Sequence, residues 1–211
     1  MAGNKRFFLR AIFVPWKHFE LYNDFRSNSV GLKSFLLLAA AALALSLTSL
    51  IQAACGNFPA VPVVLPIGLE NYFFWQALLL IPWLVASWLL VSLVAGLFLK
   101  LSGAKSIKIR QLMVFMALSF SSFLFSLWIP HLLTAIFYLL GMSQKEWVDL
   151  LSEPGWFQTL YLAFIILAVL SGGLALNLSL LKGKLTKKWV SLIIASFSFL
   201  IWIILVFILL R

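Results

Sequence analysis

The sequence predicts an all-α, polytopic membrane protein whose helical bundle crosses the bilayer five times. Of its 211 residues, 64% are hydrophobic and only 10% are charged, whereas about a quarter of a soluble domain is charged. So few polar side chains cannot cover a water-facing surface, and lipid must therefore be the main solvent. Long apolar runs supply the spans, and the basic residues cluster in short stretches between them.

Residues 1–31 form a lead-in that is too polar to cross a membrane. Basic side chains are interspersed there with aromatic and aliphatic ones, and Pro15 divides the segment. This mixture suits a cytoplasmic, interfacial amphipathic helix that lies on an anionic leaflet. A short helix packed under the bundle is the alternative that the sequence leaves open.

Residues 32–211 form the predicted transmembrane domain. The five spans are predicted at about residues 32–54, 73–99, 112–140, 157–181 and 189–210. The first span, at 1.5 Å per residue, is about 34 Å long, which is enough to cross a hydrocarbon core of about 30 Å. Trp75, Trp156 and Trp189 fall at predicted span ends, where an aromatic belt meets the two interfaces.

The third span is ambiguous because Leu112 to Leu140 is 29 residues without a charged side chain. One span uses roughly 17–25 residues, and two would need about 40. Pro130 lies two-thirds of the way along, so the segment is either one long kinked span or a hairpin of two half-helices. Pro82 similarly predicts a kink in the second span.

Charge distribution favours the single long span. With five crossings, 14 of the 16 Lys and Arg residues lie on one side, six up to Lys33, four in residues 100–110 and four in residues 182–188. The other side holds Lys145, Arg211 and four of the six acidic residues. The positive-inside rule then places the N-terminus in the cytoplasm and the C-terminus outside.

The sequence supplies no set of residues for chemistry inside the membrane. No Asp, Glu, Lys or Arg lies within a predicted span, and such residues mark proton and ion routes. Cys55 is the only cysteine, and two histidines are too few for a His-only metal site. We therefore expect no enzyme activity, no cofactor and no metal. The net charge of +10 indicates contact with membrane lipids rather than with nucleic acid.

Four positions are the candidate helix breaks and in-membrane polar sites: Pro82, Pro130, His131 and Asn177. His131 has two interpretations, a proton or ligand contact exposed by the Pro130 kink, or a neutral ring bonded to the carbonyl that this proline frees. The second is the simpler one. Asn177, one turn after Gly173, predicts a close helix contact, with a solute site as its alternative.

The order of features along the chain is familiar. These features are Pro15 with Phe19 four residues later, a basic loop with Gly103, Lys105 and Gln111, the run Leu118–Pro130, and the segment Leu174–Leu181 followed by a lysine loop and an apolar last helix. This order resembles the Yip (Ypt/Rab-interacting protein) family of five-span membrane proteins, in the short form found in bacteria.

The Yip resemblance implies five helices, a cytoplasmic N-terminus and a place in the bacterial inner membrane. Eukaryotic members are scaffolds in vesicle traffic and bind small GTPases through a longer N-terminal region. Only about 31 residues precede the first span here, so a small GTPase is not the expected partner.

Two hypotheses for function follow. The first is a non-enzymatic membrane scaffold or accessory subunit that docks on another membrane protein, or on itself, through small-residue helix faces; it predicts a dry, tightly packed interior. The second is a carrier or permease component for a neutral or lipid-like solute. It uses the breaks at Pro82 and Pro130, and it predicts a cavity near Pro130, His131 and Asn177.

The topology itself is testable. Because an odd number of spans puts the two termini on opposite sides, a reporter fused after Arg211 is expected to react only with reagents outside the cytoplasm. A reporter fused before Met1 serves as the control and is expected to be protected from them. Cytoplasmic access at Arg211 would contradict the five-span topology.

Overall fold

The structure is a computed structural model that describes residues 2–24, 29–59, 65–103, 109–183 and 187–210, with side chains from residue 6 onward. Several basic residues counted for the topology lie outside the described residues or side chains: Lys5, Arg26, Lys105, Lys108, Lys184 and Arg211. Within the described ranges the chain is α-helical and contains no strand. The helices are α1 (Ala2–Phe13), α2 (His18–Asp24), α3 (Ser29–Ala54), α4 (Tyr72–Leu101), α5 (Ile109–Leu139), α6 (Gln144–Ser152), α7 (Trp156–Lys182) and α8 (Lys188–Leu209).

Five of these helices, α3, α4, α5, α7 and α8, are long and apolar enough to cross a membrane. Their ends lie within three residues of the predicted span ends. The all-α fold with five spans is therefore confirmed. The side of the membrane on which each terminus lies stays a prediction.

The third span is one continuous helix of 31 residues that runs through Pro130. The alternative of two half-helices is wrong for this segment. Pro82 likewise stands inside an unbroken α4. Each proline removes one backbone hydrogen bond. The helix nevertheless continues on both sides of it, because lipid offers the backbone N–H and C=O groups no other hydrogen-bond partner.

Helix α5 is the centre of the bundle. In its most apolar stretch of 18 residues, 72% of the residues are buried, against 22% in α7. It contacts α3, α4 and α7 directly, while α4 also contacts α8 and α8 contacts α7. A helix that is apolar all round can lie in lipid or at the centre of a bundle, and the neighbours of α5 place it at the centre.

Aromatic rings join α5 to α8. Phe120 stacks flat on Trp202, with ring centroids 4.1 Å apart and planes at 5°. Phe123 meets Phe199 edge-on, with centroids 5.5 Å apart. Both contacts use side chains that are buried, and aromatic pairs of this kind contribute about 0.5–1.5 kcal/mol beyond their buried area.

Several polar side chains in the spans bond to backbone or to one another, whereas the hydroxyls of Ser46, Ser92 and Ser119 have no partner among the described residues. Ser121 and Ser122 donate to carbonyls one turn earlier in α5, as serines in membrane helices commonly do. Between helices, Gln76 of α4 donates to Ser49 of α3 at 2.7 Å, and the Trp83 indole of α4 donates to the Leu205 carbonyl of α8 at 2.7 Å. These bonds fix α4 against both neighbours.

The expected aromatic residues lie at ends of the spans. Trp75, Trp156 and Trp189 are exposed at helix ends, in agreement with an aromatic belt. Between α5 and α7 the short helix α6 begins with a capping box formed by Ser143 and Glu146. It buries Trp147 against Phe157, and thereby closes one end of the bundle.

Gly172 gives a direct test of the packing between α7, α8 and α5. A Cβ at this position would lie 2.5 Å from Cζ of Phe199 and 3.0 Å from the carbonyl oxygen of Ser119. Because the Phe199 ring is held by Phe120 and Phe123, it cannot move aside freely. Gly172→Ala is expected to destabilise the fold by about 1–3 kcal/mol, measured as a lower melting temperature in detergent.

Gly173→Ala is the matched control. Its added Cβ would come no closer than 3.7 Å to Phe199, an ordinary contact. Alanine is also the better helix former. This variant is therefore expected to be neutral or slightly stabilising, and equal losses in both variants would contradict the packing described here.

Candidate functional site

The candidate positions predicted from sequence do not come together. Pro82 is exposed on α4, whereas Pro130 and His131 are buried on α5. The His131 ring faces Tyr161 of α7, with centroids 6.1 Å apart. Asn177 lies 16 residues beyond Tyr161 along the same helix, which is about 24 Å at 1.5 Å per residue. His131 and Asn177 therefore belong to different levels of the bundle.

His131 is 6% exposed, and its Nε2 has no hydrogen-bond partner among the described residues. The simpler interpretation placed a hydrogen bond between this ring and the carbonyl freed by Pro130, and Nε2 does not make it. The ring instead packs edge-on against Tyr161. Neither groove described below includes His131 among its lining residues.

Asn177 makes the helix contact that its position predicts. Ser191 of α8 donates to Oδ1 of Asn177 at 3.1 Å. The Asn177 amide is therefore used to join α7 to α8, close to the start of α8. Asn177 lines neither of the two grooves described below, so they do not support its alternative role in a solute site.

The feature that the sequence did not indicate is a helical hairpin in the lead-in. Helix α1, the 3₁₀ turn Pro15–Lys17 and α2 fold back on one another and contact α5 and α7. Phe7 packs against Val114 and Leu118 of α5. The hairpin therefore packs against two spans, as the alternative of a short helix packed against the bundle requires, and its position at the membrane surface stays a prediction.

The hairpin reaches well along α5. Ser122 is 13 residues after the first residue of α5, which is about 20 Å along the helix axis. Its hydroxyl donates to the Ala11 carbonyl at the end of α1, at 3.0 Å. Pro15 and Trp16, at the turn, lie beside Trp128 and Ile129 of α5. The turn of the hairpin is thus its deepest part along α5.

His18 closes the hairpin from inside. Its Nε2 lies 2.8 Å from the Ala11 carbonyl, and since a carbonyl only accepts, this nitrogen carries the proton. The side chain is 0% exposed, and Nδ1 has no partner among the described residues. Burial lowers the pKa of His18 to about 4. The imidazole is therefore neutral at pH 7.

Ion pairs hold the open end of the hairpin. Lys182 of α7 donates to Glu20 of α2 at 2.6 Å, and this bond lowers the pKa of Glu20. Arg10 and Asp24 pair across the two arms at 3.5 Å. Both pairs are largely exposed, so each contributes at most about 1 kcal/mol. They set the register of the hairpin more than its stability.

Two grooves adjoin the hairpin. The polar groove has a volume of about 470 Å³ and is lined by Arg10, Val14, Lys17, Glu20, Leu21 and Asp24. The apolar groove has a volume of about 480 Å³ and is lined by Ile12, Phe13, Pro15 and Trp16 of the hairpin, Phe125, Ser126, Trp128 and Ile129 of α5, and Leu167 and Ser171 of α7.

One serine and one histidine meet beneath the hairpin. Ser122 and His18 approach within 3.5 Å, but the serine directs its proton to backbone carbonyls, and Nδ1 of His18 has no partner among the described residues. A nucleophile needs a base that takes its proton. Among the described residues, no group of three His, Cys, Asp or Glu side chains is arranged to hold a metal ion.

No family model matches the chain, and neither a curated protein nor a solved structure matches it. Its function is therefore inferred from the geometry of the bundle and the hairpin.

The buried His18 predicts that docking of the hairpin depends on pH. A released hairpin binds a proton on His18 near pH 6.5, whereas the docked one does so only near pH 4. Docking is therefore fully stable above about pH 6.5 and weakens as the pH falls towards 4. Between pH 7 and pH 5 the loss is about 1.8 kcal/mol, or roughly 20-fold in the docking equilibrium.

Hydrogen–deuterium exchange of residues 7–24 in nanodiscs measures this effect. Exchange at each pH is divided by the intrinsic rate of the unfolded peptide at that pH, and the resulting protection is expected to fall at pH 5 in the native chain. In His18→Gln, which keeps an N–H donor but does not titrate, protection is expected to be the same at both pH values. Glu20 does not confound the comparison, because Lys182 already lowers its pKa. An equal loss of protection in the variant would show that another group is responsible.

Proposed function

We propose that this protein is a non-enzymatic scaffold or accessory subunit in a membrane protein complex. The observation that carries the proposal is the covered central helix. Most of the apolar stretch of α5 is buried, and the stacked rings of Phe120 and Trp202 occupy its contact with α8. A bundle filled in this way is suited to holding a shape and presenting its outer faces.

Helix α7 offers the outer face best suited to a partner. It is the least buried of the five spans. Four large side chains at four-residue intervals, each more than half exposed, form one stripe along it: Leu162, Ile166, Leu170 and Leu174. Such a ridge fits the groove of a neighbouring transmembrane helix. The partner is then another membrane protein or a second copy of this chain.

The Yip likeness and the bacterial inner membrane are part of the proposal. The order of spans, the two prolines and the excess of Lys and Arg on one side support them. Neither a small GTPase nor a nucleic acid is proposed as a partner. The lipids of the membrane contact the remaining exposed faces of α4 and α8.

A second candidate function is a carrier or permease component for a neutral or lipid-like solute. The two helix prolines motivate it, and the apolar groove beside the hairpin is the observation that favours a lipid-like ligand. We rank it second because the groove lies against the hairpin, away from His131 and Asn177.

Affinity purification in mild detergent followed by native mass spectrometry tests the scaffold proposal. The tagged protein is expected to leave the membrane in a fixed ratio with another protein or with itself. Leu170→Trp, which places a bulky ring on the α7 stripe, is expected to lower the bound partner by about tenfold, the effect of ~1.4 kcal/mol.

Leu93→Trp is the matched control on α4. Leu93 is 61% exposed, comparable with 53% for Leu170, so both variants place the same ring on an exposed face. The control is expected to retain the partner. Recovery of single chains carrying only lipid would contradict the scaffold proposal and favour the second candidate.

A further inference from the structure

We infer that the outer face of the hairpin docks a transmembrane helix of a partner protein, and that this helix carries a carboxylate opposite Lys17. This rests on the scaffold proposal and deepens it, because it names the chemistry that the partner has to bring. It concerns a face of the bundle other than the α7 stripe. The observation that carries it is a charged side chain at the level of the membrane interior.

The contacts of the hairpin set the level of Lys17 along the spans. His18, the next residue, lies within 3.5 Å of the Ser122 hydroxyl of α5. The aromatic rings on both sides of Ser122, at positions 120 and 123, contact the rings at positions 202 and 199 of α8. Lys17 is therefore level with about residue 200 of α8.

Helix α8 converts that level into a depth. It is the shortest of the five spans, with 22 residues, or about 33 Å, which is close to a hydrocarbon core of about 30 Å. Leu200 lies 12 residues after Lys188, the first residue of α8, and so about 18 Å from that end. Ile193, Leu200 and Ile204 are each more than half exposed. Lys17 is therefore at a depth where other faces of the bundle meet hydrocarbon.

Lys17 makes no ion pair at this depth. It is exposed in the polar groove and has no carboxylate within 4 Å among the described residues. Glu20 accepts a hydrogen bond from Lys182, and Asp24 pairs with Arg10. The four-carbon stem of a lysine does not span the distance to the headgroups. Because charges inside a membrane pair with one another, this cation calls for a carboxylate from a neighbouring molecule.

The rest of the outer face indicates protein, rather than lipid or water, as that neighbour. Leu9, Phe13 and Trp16 are more than half exposed, beside the exposed Arg10 and Lys17. Lipid suits the apolar side chains but not the charges, and water suits the charges but not the apolar side chains. Protein interfaces are enriched in aromatic residues and arginine together. A transmembrane helix with a central Asp or Glu is complementary to both kinds of side chain.

Designed transmembrane peptides test the inference in vesicles that contain the full-length protein. Three peptides of leucine and alanine differ only at the central residue, which is Glu, Gln or Leu. Each carries a fluorescent acceptor, and the donor is attached to Cys55, which is exposed and is the only cysteine. The Glu peptide is expected to bind the native chain about tenfold more tightly than the Gln peptide, the effect of ~1.4 kcal/mol.

Charge reversal at Lys17 is the decisive comparison. Lys17→Gln is expected to remove the preference for the Glu peptide. Lys17→Glu is expected to prefer a fourth peptide, with a central Lys, by a similar factor, which a merely structural role of Lys17 would not produce. Lys188→Gln removes an exposed lysine from the start of α8. It is the matched control and is expected to keep the preference for Glu. An unchanged melting temperature confirms the fold of each variant.

Two results would overturn the inference. Equal binding of the Glu, Gln and Leu peptides to the native chain would show that Lys17 selects no carboxylate. The second uses Lys17→Cys and Lys188→Cys, each combined with Cys55→Ser, and a membrane-impermeant maleimide on the cytoplasmic side. Equal reaction rates of the two would show that water already reaches the hairpin face, whereas slower reaction at position 17 is expected.

Failure here is distinguishable from failure of the scaffold proposal, because the peptide assay uses no natural partner. A partner that co-purifies with both the native chain and Lys17→Gln, but not with Leu170→Trp, would support the scaffold and contradict the role of Lys17. A native chain that purifies alone would contradict the scaffold whatever the peptides do.

Discussion

The structure depends on close packing around one central helix. Helix α5 is apolar around its whole circumference, so lipid and protein are equally good solvents for it, and close packing and hydrogen bonds rather than the hydrophobic effect hold it in place. Four spans cover most of its surface, and the hairpin of α1 and α2 lies between α7 and α3 to cover the rest. Two features follow from this close packing. Gly172 has no side chain, so Phe199 and the Ser119 carbonyl can approach α7 closely, and Phe120 stacks flat on Trp202.

Hydrogen bonds to backbone carbonyls give this apolar bundle a defined register. Tyr72 and Trp83 of α4 donate to carbonyls in the last turns of α8, and Trp88 donates to the Met113 carbonyl of α5. Dispersion contacts alone would tolerate sliding of one helix past another. Each indole or phenol fixes one position along a helix, because lipid offers no other acceptor for its proton.

The spans could be predicted from sequence because length and hydrophobicity alone decide whether a segment crosses a membrane. The single long α5 was predicted from the alternation of charged loops, a property of the whole chain.

The Asn177 contact was predicted from the small residues around it. The hairpin was not, since its mixture of basic and aromatic residues equally suits a membrane surface. The contacts that settle its place, Ser122 with Ala11 and Lys182 with Glu20, join residues 111 and 162 positions apart.

The order of the hairpin and its receptor surface along the chain has a consequence for biosynthesis. Helices α1 and α2 leave the ribosome first, but Lys182, which pairs with Glu20, is made 162 residues later. At about 5–20 residues per second this delay is roughly 10–30 s. The hairpin can pack against α5 once that span is made, but its ion pair with α7 forms only after this delay. The contacts that hold one early segment of the chain are thus completed only when a much later span has been made.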